Sequence, residues 1–305
     1  MLPPVGPTGL NAGLPAPAGL VPATPGEAFG IVAGGGVLPK MIADTLEGAG
    51  FTPVVVPVGD GWLEDWSGYR NRPLKWSQTG DIFPYLRKVG ARHIVFCGTI
   101  SIRPDYRSMI PSLQTLRLLP EIFSIMRGGD DTMLRAVSRA FERRGFELHG
   151  VQEVIPGLLA PEGLLAGRAP DQAEARAIAR AAEAARALGH LDIGQAAVAS
   201  AERVIALEGI EGTRDMLKRV AELRRQGRIG RSERTVLFKA VKPQQDRRLD
   251  LPSIGAETIE QAAEAGLCGI GVSSGASLVI DIDALAEAAA RRGLFVVGVA
   301  EGRHP

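Results

Sequence analysis

Between Lys239 and Asp250 the chain gathers Lys239, Lys242, Arg247 and Arg248 beside the carboxylates Asp246 and Asp250, with Pro243 and Pro252 framing the run. Cations of this kind neutralise phosphoryl oxygens, and a carboxylate among them can position water or a metal. Asp250 stands out because Leu249, Leu251 and Pro252 fence it, with Ile254-Gly255 close behind. A carboxylate in an apolar frame is costly unless it meets a cation, a metal or a chemical task. The second informative stretch is Ala33-Gly34-Gly35-Gly36-Val37-Leu38-Pro39, directly after an apolar run. It reads as a strand entering a glycine turn and then a helix. Such a turn presents backbone N–H groups at a helix N-terminus, which suits a phosphate. Together the two stretches point to an enzyme acting on a phosphate ester or anhydride.

Other polar groups are less specific. Gly98-Thr99 closes an apolar run, at the edge where open α/β sheets bind ligands. In Arg103-Pro104-Asp105, which follows, the arginine suits either a phosphate or a turn cap. Asp130 and Asp131 follow Gly129 and can cap a helix, yet two adjacent carboxylates exceed what a cap needs. They are candidate magnesium ligands, as is Asp192. Asp192 and Gln195 sit at the mouth of a strand, and Thr213 of Glu211-Gly212-Thr213 opens a helix. Local turn chemistry accounts for these groups equally well. Gly34 and Gly36 also fit a dinucleotide fingerprint, with Asp60 as the ribose acid, but Pro39 holds the third glycine's place. A nicotinamide-dependent oxidoreductase is therefore one alternative, and a non-catalytic nucleotide-binding regulator is another. His93, His149, His190 and His304 show no metal-ligand spacing, so no zinc site is expected. There is no G-x-S-x-G nucleophile elbow.

The elements that must hold these residues alternate. Strands are expected at 28–33, 52–58 and 93–97, with helices at 38–48 and 81–89 between them and a polar loop over 59–78. Helices at 111–126 and 132–144 and a strand at 146–151 follow. A Pro/Gly-rich segment, 156–171, reads as a linker. Beyond it, helices are expected at 172–188, 214–225, 256–265 and 284–292. The strands there are 196–200, 204–207, 236–241, 269–272, 277–282 and 295–299. The fold class is α/β: a Rossmann-like parallel-sheet domain over 27–155 and a mixed α/β catalytic domain over 172–305. Residues 1–26 read as a disordered tail.

The chain has 305 residues, 45% of them hydrophobic, an ordinary globular composition with room for two domains. A net charge of +1 gives no field favouring nucleic acid. Cys97 and Cys268 lie in apolar runs and read as reduced core residues. No apolar run is long enough to cross a membrane. The first Lys or Arg is Lys40, so no signal peptide is expected and the cytoplasm follows.

Six motifs occur in order: Ala-Gly-Gly-Gly-x-Leu-Pro, Gly-Asp-Asp, Leu-Asp-Ile-Gly-Gln, Glu-Gly-Thr, Lys-Pro-x-Gln-Asp and Asp-Leu-Pro-x-Ile-Gly. The set resembles the UDP-2,3-diacylglucosamine pyrophosphatases of the LpxI type, over residues 28–300. The resemblance implies hydrolysis of UDP-2,3-diacylglucosamine to UMP and 2,3-diacylglucosamine 1-phosphate (lipid X) in lipid A biosynthesis, with Mg²⁺ or Mn²⁺. It also implies a homodimer, two domains with the lipid product held between them, and a cytoplasmic enzyme peripheral to the inner membrane. The catalytic aspartate of that family falls on Asp250. On this reading Gly35, Gly36, Leu38, Gly98 and Thr99 contact the nucleotide end. Thr213, Lys239 and Lys242 hold phosphate, Gln245 supports the site, and Gln195 is a further substrate contact. One departure is Arg214, where the family's Glu-Gly-Thr is usually followed by Asp; here Asp215 comes one place later. The apolar tail has no family counterpart.

Overall fold

The computed structural model describes residues 20–100, 110–125, 130–243 and 245–300, without the side chains of 124, 125 and 130–132. The expectations for residues 1–19 and for Arg103 and Asp105 lie outside the described residues. The chain divides into two units, one within Met1–Arg117 and Gly145–Ile155, the other within Leu118–Arg144 and Pro156–Pro305. The elements, in chain order, begin with β1 (Ala28–Ala33), α1 (Leu38–Gly48), β2 (Thr52–Pro57), β3 (Arg70–Asn71), α2 (Ile82–Val89) and β4 (His93–Cys97). There follow α3 (Leu113–Ile125), α4 (Asp130–Glu142), β5 (Glu147–His149) and α5 (Val151–Val154). The remainder is β6 (Gly163–Ala166), α6 (Gln172–His190), β7 (Ala196–Ala199), β8 (Val204–Leu207), α7 (Gly212–Arg225), β9 (Val236–Lys239), β10 (Ser253–Ile254), α8 (Ala256–Glu264), β11 (Gly269–Ser273), β12 (Leu278–Val279), α9 (Ile282–Arg292) and β13 (Phe295–Val299).

In the first unit the described strands form a sheet in the order β3-β2-β1-β4-β5, with every pairing parallel. Parallel strands are covered on both faces, which is why β1, β2 and β4 read as nearly continuous apolar runs. Phe29, Ile31, Val54, Val55, Ile94 and Val95 are buried. The order reverses between β1 and β4, so the turns that leave these two strands meet. Residues 59–78, expected as loop, contain two 3-10 turns, and their β3 pairs with β2 at Val54↔Arg70. Of the expected tail, residues 20–26 are tied down: the Gly26 N–H donates to the Gly50 carbonyl at 2.9 Å. Gly98 has φ +89°, and a Cβ there would stand 2.8 Å from the Gly34 carbonyl carbon, the Gly35 oxygen and Pro39. Gly98→Ala should therefore cost about 2 kcal/mol, which urea unfolding would measure.

The second unit is built on a described sheet ordered β6-β13-β11-β9-β7-β8. The inner three, β13, β11 and β9, are parallel, while β7, β8 and β6 pair antiparallel. Alternation sends Val236, Phe238, Phe295 and Val297 toward the alanine face of α6, formed by Ala177, Ala181 and Ala185. Leu237, Ile270 and Val296 face the other way, with core residues of α7, α8 and α9. The segment read as a linker holds β6, an edge strand on β13. The expected strand at 277–282 narrows to β12, which pairs with β10 in a separate two-stranded sheet. Cys97 and Cys268 are free thiols, and burial raises the pKa of each, that of Cys268 to about 12.

Candidate functional site

Strand β9 ends at Lys239, and its neighbours bring the candidate residues to that end. Strand β7 runs antiparallel to β9 with Ala196 opposite Lys239, so Gln195 arrives there and its carbonyl accepts the Ala240 N–H at 2.8 Å. Strand β8 returns antiparallel to β7 and delivers Glu208, whose N–H donates to the Ala196 carbonyl. The Glu208 carboxylate then accepts the Gln195 N–H at 2.8 Å and the Thr213 hydroxyl at 2.6 Å. Glu208 is buried. It was not singled out in the sequence, where Leu207-Glu208-Gly209 reads as the end of a strand. The available signal was alternation, because Glu208 lies two residues after the buried Ala206 and so points inward with it.

The loop after β9 completes the cluster. The Gln245 side-chain amide donates to Asp250 and its oxygen accepts the Lys242 N–H at 3.2 Å. Lys239 reaches the Ser253 carbonyl at 2.8 Å. Burial lowers the pKa of the Lys239 ammonium, while the charges of Glu208 and Asp250 oppose that shift. Lys239, Lys242 and Gln245 are all buried. Asp192 adopts φ +54° in the tight turn before β7, and its carboxylate accepts from the Lys242 ammonium at 2.8 Å. The same loop is pinned to α4. Asp246 accepts the Ser138 hydroxyl at 2.8 Å and both sides of the Arg248 guanidinium, which also donates to Glu142 at 2.7 Å. Arg248, with Ser138, holds the Asp246 pKa below the usual carboxylate range.

The second unit thus brings together Asp192, Gln195, Thr213, Lys239, Lys242, Gln245 and Asp250. Arg214 and Asp215 stay on the exposed surface, paired with Glu257 and with Lys218 respectively. Asp130 and Asp131 open α4, but their side chains lie outside the described residues. For Mg²⁺, Asp250 offers one carboxylate, and Asp192 is already held by Lys242. Among the described residues the buried side-chain oxygen of Gln195 has no hydrogen-bond partner, which suits it to a cation or a ligand. Among the described residues no three carboxylates converge on Asp250. The donor set fits a metal that takes one or two carboxylates and completes its shell with phosphate oxygens and water.

In the first unit the glycine turn is arranged differently from the open cradle expected. The Gly34 N–H donates to the Cys97 carbonyl, and Gly35 and Thr99 exchange N–H···O bonds at 2.9 Å. The Gly36 N–H donates to the Glu64 carboxylate at 3.0 Å. Two of the three amides serve the junction of β1 with β4, and the third already holds an anion. Leu38 begins α1 after Val37, which supplies no side-chain cap. Pro39 is buried in the first turn, where its missing N–H costs nothing, and it packs toward Gly98. Beside this turn lies an open groove of ≈ 370 Å³, lined by Gly59, Trp62, Leu74, Lys75, Trp76 and Ser77.

Residues 28–158 match the family model described as the LpxI N-terminal domain, and residues 161–297 match the LpxI C-terminal domain. The chain belongs to the LpxI family. A curated relative is the UDP-2,3-diacylglucosamine pyrophosphatase LpxI of Caulobacter vibrioides, 41% identical over 279 residues. The match covers 91% of this chain and 99% of the relative. The Lys239–Asp250 cluster lies within the LpxI C-terminal domain and the glycine turn within the LpxI N-terminal domain. No helix among the described residues is long and apolar enough to cross a membrane.

Proposed function

We propose that the chain hydrolyses the pyrophosphate of UDP-2,3-diacylglucosamine to UMP and lipid X, as a step of lipid A biosynthesis. The observation that carries this reading is 41% identity to a relative named for that activity, over 99% of the relative's length. The Lys239–Asp250 cluster supports it, because its groups suit the reaction. Hydrolysis forms a bond from water oxygen to phosphorus and breaks the bridging P–O bond. The water proton passes to a base, for which Asp250 is the proposed group. Lys239 and Lys242 stabilise the charge that grows on the phosphoryl and leaving oxygens. Thr213 orients Glu208, Gln245 holds Asp250, and Asp192 fixes Lys242. Asp250 is the residue that would hold Mg²⁺ or Mn²⁺ together with the substrate, and such an ion would supply neutralisation of charge on the phosphoryl oxygens. Gly35, Gly36, Leu38, Gly98 and Thr99 are the proposed contacts of the nucleotide end, and the Trp62–Trp76 groove offers aromatic faces for its base. The enzyme is proposed to act at the inner face of the inner membrane, as a homodimer.

The test is a direct assay of the pure protein with UDP-2,3-diacylglucosamine and Mg²⁺. UMP and lipid X are expected in equal amounts, and EDTA should stop their release. Binding of the substrate without UMP formation would instead favour a regulator. A thermal shift with NADH and none with UDP-sugars would favour an oxidoreductase.

A further inference from the structure

A second cluster of reactive side chains lies in the first unit, at the opposite end of β4 from Gly98 and Thr99. Strands β4 and β5 are parallel, with His93 opposite Glu147. His149 follows Glu147 by two residues and so shares its face. Among the described residues, ligand atoms of His93, Glu147 and His149 all lie within 4.8 Å of one another. His93 Nδ1 is 3.0 Å from His149 Nε2 and 3.6 Å from a Glu147 oxygen, and His149 Nε2 is 3.9 Å from the other Glu147 oxygen.

The outward nitrogens have partners of the opposite kind. His149 Nδ1 faces Glu153 at 3.0 Å, and His93 Nε2 faces Glu27 at 3.5 Å. Both carboxylates are themselves held, Glu153 by the Gly150 N–H at 3.0 Å and Glu27 by the Ala23 N–H at 2.7 Å. Phe29, fully buried, packs on both imidazoles, with ring centroids 5.8 Å from His93 and 5.5 Å from His149.

Proton bookkeeping shows where positive charge is wanted. A neutral imidazole carries one N–H. If His149 gives its proton to Glu153 and His93 gives its proton to His149, the remaining lone pair of His93 points at the Glu27 carboxylate. If instead both outer nitrogens carry the protons, Glu27 and Glu153 are satisfied. Two imidazole lone pairs and a carboxylate then face one another at short range, and a positive charge between them, an extra proton on one imidazole or a metal ion, relieves the repulsion. A carboxylate behind each metal-binding histidine is the usual outer arrangement of such sites. Zinc bonds to nitrogen and oxygen are about 2.0–2.2 Å long, so tetrahedral ligand atoms lie roughly 3.4 Å apart, between the 3.0 Å from His93 Nδ1 to His149 Nε2 and the 3.6 Å from His93 Nδ1 to Glu147.

We propose that His93, His149 and Glu147 bind a divalent transition-metal ion of the zinc type, with water in the fourth position. Imidazole donors select zinc over magnesium, so the site is chemically distinct from the Asp250 cluster. The ion ties β4 to β5 and, through Glu27 and Glu153, to the segment entering β1 and to α5. The proposal does not depend on the hydrolase reading.

The experiment is zinc titration of full-length, chelator-stripped protein, followed calorimetrically and by thermal melting. One zinc per chain should bind in the micromolar range or tighter, and Co²⁺ should give the visible absorption of a tetrahedral complex. At a hundredfold excess over Kd the melting temperature should rise by about 5 °C. Glu147→Gln alters a half-exposed side chain and should leave the fold intact while weakening binding more than Glu153→Gln, itself expected to lose about 10-fold. His93→Gln should abolish binding, and Asp250→Asn should leave it unchanged. Absence of stoichiometric zinc binding in the wild type would overturn the proposal. So would wild-type affinity in folded Glu147→Gln and His93→Gln, or loss of binding in Asp250→Asn.

Discussion

Asp250→Asn should reduce turnover of UDP-2,3-diacylglucosamine by about 10³-fold, the scale of loss when a principal catalytic group is removed. Asparagine keeps the size of the side chain and one oxygen for the Gln245 amide, so the loop that carries residue 250 should stay in place. That loop is anchored independently through Asp246, Ser138, Arg248 and Glu142. What disappears is the negative charge that accepts a proton or carries a metal. The change also removes one of the two anions that oppose the burial-driven lowering of the Lys239 pKa. Single-turnover kinetics beside a thermal melt would check this. A folded variant with near-normal kcat would take Asp250 out of the mechanism.

The largest expected effect on stability lies away from that cluster, at Glu174. This carboxylate is fully buried and accepts from both Arg168 guanidinium nitrogens, at 2.7 and 2.6 Å, and from Arg234. It also closes a capping box at the start of α6, accepting the Asp171 N–H at 2.8 Å while Asp171 accepts the Glu174 N–H. Burial alone would raise its pKa, but Arg168, the Asp171 amide and Arg234 outweigh that and lower it to about 2. A folded pKa below the unfolded one means that the stabilisation is complete above the unfolded value of 4.5 and is lost as pH falls toward about 2. Glu174→Gln should cost about 3 kcal/mol at pH 7, matching that shift. The variant should also lose less stability than the wild type between pH 5 and about 2.5. Urea unfolding across that range checks both statements, and parallel pH curves for the two proteins would refute the account.

The parts of the fold that were legible share one property, a local pattern that packing then honours. The apolar runs at β1, β4 and β13 report burial on two faces, the glycines after α1 and the alanine-rich run of α6 mark helices, and those elements formed where the pattern put them. The shorter elements were harder to read. Strand β6 lies in a Pro/Gly-rich stretch that suggests a linker, and only its pairing with β13 makes it a strand. The glycine turn was legible as a turn, but not where its amides go, because the carbonyls that take two of them lie at Cys97, the end of β4, and at Thr99 just beyond it.

For the site, the sequence alone singled out Asp250 through its apolar frame and Lys239 and Lys242 through the density of charge around them, and the family resemblance added Gln245. Order along the chain then identified the family. Tertiary structure decided which of these groups touch. It added Glu208 as the acid linking Gln195 to Thr213, turned Asp192 into the partner of Lys242, and left Arg214 on the surface. It also joined His93 to His149, which stand 56 residues apart with no spacing to betray them. The physical reason is that composition and period report what each residue must bury. Hydrogen bonds and metal ligation depend on which strand ends become neighbours, and that is set by sheet order and register.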